Sequence, residues 1–124
     1  MELSKNQLFE RAEKLYGKDR CNWKFKCPNC GNIQSGNTIR EQMLKNIGSM
    51  RHGIIQKGEG IYLDCECYSP TCNWVAYGLF NSGILMIIDS SLPHNEATKE
   101  NCGYVFPLAD DDEMLKAAGI IKES

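Results

Sequence analysis

The sequence predicts an α+β fold, a small antiparallel sheet flanked by about three helices. Three observations predict it. Apolar residues recur at helical spacing over residues 4–16 and 37–50, and acids suited to a helix start open a third stretch at 110–118. Between and after them lie short β-rich runs bounded by Gly, Asn and Ser. The order of these segments is not the regular strand-helix alternation of a parallel sheet, so helices packed beside antiparallel strands are expected. With 124 residues, 42% of them apolar, the whole chain, 1–124, reads as one domain.

The first helix is expected over 4–16. Ser4 and Gln7 form a capping-box pair, Leu8, Phe9, Ala12, Leu15 and Tyr16 make one stripe, and Gly17 is a stop. Trp23, Phe25 and Cys27 then alternate with Asn22, Lys24 and Lys26, as in a strand with one face buried. A second helix over 37–50 directs Ile39, Met43, Leu44, Ile47 and Met50 inward, and the run GIIQKGEG ends it. Strands are expected at 61–67, 74–80 and 84–89, with a short one around 104–106, before the closing helix.

Charge is unevenly laid out. Residues 1–57 carry eleven Lys and Arg against five Asp and Glu, while 58–124 carry three against eleven. Either the basic half meets an anionic partner, or the two halves face each other in the fold. No apolar run is long enough for a membrane span, and the polar N-terminus lacks a signal-peptide core, so a cytoplasmic protein is expected.

Seven cysteines in a chain expected in a reducing compartment point to metal rather than disulfides. Cys27-Pro28-Asn29-Cys30 also matches the spacing of redox motifs, but those open a helix. Here Gly31, Asn32, Ser35, Gly36 and Asn37 make a poor helical turn, whereas Gly31 suits the positive φ that closes a metal knuckle. A structural zinc ion needs two further ligands. Cys72 is one. The other is Cys65 or Cys67, which share a face if a strand runs through both.

CPNCGNIQSG, LDCECY, CNWVAYGLF and YVFPLA together resemble the successive signatures of a family of small, mostly phage- and prophage-encoded proteins with a zinc-ribbon-like cysteine set. The likeness runs from about residue 23 to 109. It implies Cys27, Cys30, Cys65 and Cys72 as ligands of a structural Zn2+ and leaves Cys67 as the alternative to Cys65. It also implies a phage-encoded accessory protein in the host cytoplasm, binding a host or defence protein. Cys21 and Cys102 are read as buried thiols.

No catalytic motif is evident. His52 reads as a helix C-terminal cation and His94 as a solvated loop residue, and residues 110–113 read as helix-capping acids. The runner-up function is nucleic-acid binding through Arg20, Lys24, Lys26, Arg40 and Arg51. A third is an enzyme with a site near His94. An exposed apolar patch around 74–80 would favour the protein partner. The residues do not specify an oligomeric state.

Overall fold

Ser4 ends one element and begins the next. In the computed structural model, which describes residues 2–76, 84–87 and 102–119, Glu2–Ser4 form strand β1 and Lys5–Tyr16 form helix α1. The Ser4 hydroxyl accepts the Gln7 backbone N–H at 3.1 Å, and the Gln7 side chain accepts the Ser4 N–H at 2.8 Å. This closes the capping box expected from the sequence. Gly17, at φ +84°, donates its N–H to Glu13 and ends the helix. Leu8 and Ala12 are buried, whereas Leu15 is 41% exposed and leaves the expected stripe.

A single 3-10 turn, Arg20–Asn22, leads into β2, Phe25–Lys26, which pairs antiparallel with β3, Ile33–Gln34. Trp23, Phe25 and Cys27 are buried and Lys24 is exposed, as the alternation requires. The backbone on the other side of β2 is taken by the C-terminal segment. Lys26 donates to the Pro107 carbonyl at 2.9 Å, and Ala109 donates to Lys24 at 2.8 Å.

Helix α2, Gly36–Leu44, is capped by Ser35, whose side chain accepts from Thr38. It is shorter than the 37–50 helix expected. Lys45 closes it, Asn46 turns at φ +54°, and the chain folds into a tight turn in which Ser49 and Gly53 exchange two 2.8 Å backbone bonds. Ile39 alone of the predicted inward residues is fully buried. Leu44, Ile47 and Met50 are exposed, at 79%, 39% and 59%.

Strand β4, Ile84–Ile87, lies between β1 and β5, Cys102–Val105. It runs antiparallel to β5 but parallel to β1, with Leu3 opposite Met86. The antiparallel β2–β3 ribbon at the first knuckle, with the helices beside it, is the small antiparallel sheet of the α+β fold expected; the three-stranded sheet, with its parallel edge strand β1, adds to it. The strand expected at 61–67 is instead a turn: Cys65 and Glu66 both donate to the Tyr62 carbonyl. Only the bridge between Glu66 and Val75 remains of the 61–67 and 74–80 strands among the described residues. Residues 77–80 and 88–89 of the expected strands lie outside them.

Helix α3, Asp112–Ala117, starts two residues later than expected because Asp111 is its cap, accepting from Met114 at 3.1 Å. Arg11 reaches across from α1 to both Asp111 oxygens and to Glu113. Here a cation of the basic half meets carboxylates of the acidic half. The main core gathers Leu3, Leu8, Trp23, Phe25, Val105, Phe106, Leu108 and Met114, and it includes Cys27, Cys67 and Cys72. A second, smaller cluster of Ile39, Ile55 and Tyr68 sits under α2.

Candidate metal centre

The first knuckle forms as the sequence suggests. Cys27 donates to the Asn32 carbonyl and accepts from Gly31, both at 2.9 Å, and Gly31 adopts φ +80°. A side chain at that φ would be strained, which is why glycine follows Cys30. The second knuckle is Cys67-Tyr68-Ser69-Pro70-Thr71-Cys72. Cys67 donates to the Trp74 carbonyl at 3.0 Å, closing the loop.

The sulfurs of Cys27, Cys30, Cys67 and Cys72 all lie within 4.8 Å of one another. Four thiolates around one zinc at about 2.3 Å would sit roughly 3.8 Å apart in a tetrahedron. The Cys30 and Cys67 sulfurs are 3.6 Å apart, near that spacing and much too far for a disulfide. These four residues can hold a metal ion.

Backbone amides surround the sulfurs in a repeating pattern. Asn32 donates its N–H to the Cys30 sulfur at 3.4 Å, and the backbone amides two positions after Cys27, Cys67 and Cys72, those of Asn29, Ser69 and Trp74, lie near enough to those sulfurs to favour their thiolates. Cys30 adds a second amide to Cys27, and the Asn29 side chain donates to Cys72 at 3.4 Å. Donors aimed at sulfur favour the thiolate, the form that binds metal.

Burial opposes them. It pushes the Cys27 thiol up to about 11, ahead of the lowering by the Cys30 and Asn29 amides, and it raises Cys67 as well. At Cys72 burial also pulls upward, but the donors from Asn29, Trp74, Cys30 and Cys67 together bring the thiol below its usual value.

Cys65, preferred from the sequence as the fourth ligand, is not in the group. The shared face of 65 and 67 required a strand through both, and the turn at Tyr62–Glu66 removes that condition. Cys65 packs instead against the main core beside Asp64. Burial first, then the Asp64 and Glu66 carboxylates, push its thiol up to about 12, so it remains neutral.

Gln34 sets the position of Cys67. Fully buried on β3, its amide donates to the carbonyls of Leu63 at 2.8 Å and Glu66 at 2.6 Å. Its oxygen accepts the Tyr68 N–H at 2.9 Å. Gln42 of α2 then holds the Tyr68 carbonyl at 3.0 Å. Neither β3 nor a role for Gln34 is expected from the sequence, since that role depends on partners about thirty residues further along the chain.

The remaining predicted residues scatter. Arg20, in the 3-10 turn, stacks over Phe9 and Trp23. Lys24 and Arg40 are exposed, Lys26 half-buried. Arg51 approaches Glu66 at 3.9 Å and the Asn73 carbonyl at 3.5 Å. His52 is not at a helix end, because α2 stops at Leu44. It contacts Glu66 at 2.6 Å and stacks on Tyr68. Cys21 is exposed rather than buried. Cys102 contributes its backbone to β5, and His94 lies outside the described residues.

Trp74, whose exposure together with residues 75–80 would favour a protein partner, is half-buried and stacked on Phe106. No helix among the described residues is long and apolar enough to cross a membrane. Neither a curated protein nor a solved structure matches the chain. A family model does match, over residues 4–100, most of the sequence and both knuckles, and the chain accordingly belongs to the VVA0879-like family.

Proposed function

We propose that Cys27, Cys30, Cys67 and Cys72 hold one structural zinc ion, and that the protein is an accessory module presenting a metal-braced surface to a protein partner. The observation that carries the metal reading is the donor set: four cysteine sulfurs within 4.8 Å of one another. A soft, all-thiolate set suits zinc in tetrahedral geometry. Four protein ligands leave no open position for water or substrate, so the ion supplies rigidity rather than reaction.

The partner reading rests on the loop after α2. Leu44, Ile47, Met50 and Ile54 are all exposed within eleven residues. Gly48 lies close against the backbone of Gly53 and Ile54, which keeps the loop tight. This loop is hooked to the second knuckle through Met50 to Ser69, His52 to Glu66 and Arg51 to Asn73. Large exposed apolar side chains held by a rigid support are what protein interfaces use. The likeness to phage-encoded proteins makes a host or defence protein the first partner to seek, in the host cytoplasm.

Two measurements test this. Metal analysis of the purified protein should give one zinc per chain, and folded protein that takes up no zinc when supplied with it would refute the centre. Affinity capture from the native cell with nuclease treatment should retain a protein partner, which Ile47→Asp and Met50→Asp should release. Loss of the captured material on nuclease treatment would favour nucleic acid instead.

A further inference from the structure

A second site shares no residue with the cysteine cluster. Between the start of α1, the 3-10 turn and residues 61–64 lies a cleft of about 290 Å³. Its walls include Lys5, Phe9, Arg20, Trp23, Leu63 and Asp64. The volume is at the lower end of ligand clefts, about 300 Å³, so it has room for one small molecule or one unit of a longer strand.

The polar groups are placed at fixed points. The Arg20 guanidinium sits 4.6 Å from the Phe9 ring centre and 5.5 Å from that of Trp23, and the Lys5 ammonium is 5.5 Å from Phe9. The rings themselves are locked: they pack at 5.5 Å, and the Trp23 indole N–H donates to the Gly17 carbonyl at 2.9 Å. Among the described residues no carboxylate pairs with either cation. Nearby Asp19 is engaged in capping the 3-10 turn. Asp64 is half-buried, and its side chain is met by the Cys65 thiol and its own backbone amide.

The complement to such a cleft has an anion, a flat apolar body and hydrogen-bond donors. Phosphate alone would leave the aromatic and aliphatic wall unused, and a fatty acid would bring hydrocarbon against Asp64. We propose that the cleft binds a nucleoside monophosphate unit, with its phosphate on Arg20 and Lys5, its base along the apolar wall and its edge donating to Asp64. Arg is suited to the phosphate because its planar fork offers several donors. A guanine edge presents two adjacent N–H donors to a carboxylate, whereas uracil presents one. Guanine is therefore preferred, whether the nucleotide is free or part of a single strand.

The test is calorimetry on the metal-loaded protein at low salt with GMP, UMP, guanosine, inorganic phosphate and a guanine-containing single-stranded octanucleotide. Saturable GMP binding is expected below about 1 mM, with guanosine, phosphate and UMP each weaker by about tenfold or more. Arg20→Ala and Lys5→Ala, both at exposed positions, should each weaken GMP about tenfold, and Asp64→Asn should abolish the preference over UMP. Circular dichroism and zinc content confirm that each variant is folded. The octanucleotide binding more tightly than GMP assigns the site to single strands, and equal binding assigns it to free nucleotide. Absence of saturable GMP and octanucleotide binding, or binding indifferent to Arg20→Ala, overturns the proposal while leaving the zinc centre untouched.

Discussion

The Gln34 side-chain oxygen accepts the backbone N–H of Tyr68 at 2.9 Å, and its amide holds the Glu66 carbonyl at 2.6 Å. One side chain thus grips the peptide groups on both sides of Cys67. Gln34→Ala would deprive two buried backbone groups and one part-buried one of this partner, so a stability loss of about 3 kcal/mol is expected in chemical denaturation. Released from its clamp, Cys67 should also hold metal less firmly, by roughly tenfold or more against a competing chelator.

The two candidate cysteines separate cleanly by substitution. Cys67→Ser should lose the stoichiometric metal, as should Cys27→Ser, Cys30→Ser and Cys72→Ser. Cys65→Ser should retain it. Cobalt substitution followed by absorption reads the number of thiolates directly, with four expected in both the unaltered protein and Cys65→Ser. Metal retained by Cys67→Ser but lost by Cys65→Ser would reverse the assignment.

Acid and base should act in opposite directions on the loaded and stripped protein. Metal binding must displace protons from Cys27, whose thiol burial pushes up to about 11, and from Cys67, which burial also raises. Apparent affinity should therefore rise with pH, by roughly a hundredfold per unit while both thiols are protonated. Without metal, the sign reverses. A folded-state value above the ordinary 9.0 means that Cys27 adds stability below pH 9.0, which is lost as pH climbs through about 11. Melting temperature against pH, with and without chelator, checks both slopes.

The Arg11 contact with Asp111 joins the basic N-terminal half to the acidic C-terminal one. Arg11 contacts both oxygens, at 3.2 and 2.9 Å, while one of those oxygens also caps α3. Asp111→Ala removes cap and ion pair together and should cost about 2 kcal/mol. Asp111→Asn keeps a capping oxygen and should cost about half that, as should Arg11→Ala. Denaturation midpoints of the three variants distinguish the two contributions.

What could be read in advance was whatever depended on neighbours in sequence. The Ser4 capping box, the Gly17 stop, the burial of Trp23 and Phe25 and the Gly31 knuckle each rest on a few adjacent residues. So did the separation of the metal motif from a redox one. What escaped depended on partners far along the chain. Cys67 is selected by Gln34, more than thirty residues earlier, and β1 exists because β4 lies beside it. The apolar stripe of 37–50 misled for a related reason: Asn46 turns the chain out of the helix, and Ile47 and Met50 go with it.

The backbone bonds that Lys26 gives to Pro107 and Lys24 accepts from Ala109 bear on the order in which a new chain takes shape. All four clustered cysteines have been synthesised by residue 72, but the segment that backs the first knuckle comes more than thirty residues later. Domains assemble from the N-terminus during translation at about 5 to 20 residues per second. For a few seconds, then, both knuckles exist outside the ribosome without their C-terminal support. An ion captured in that interval would tether two distant loops before the core closes, so metal would act on the order of assembly as well as on later durability.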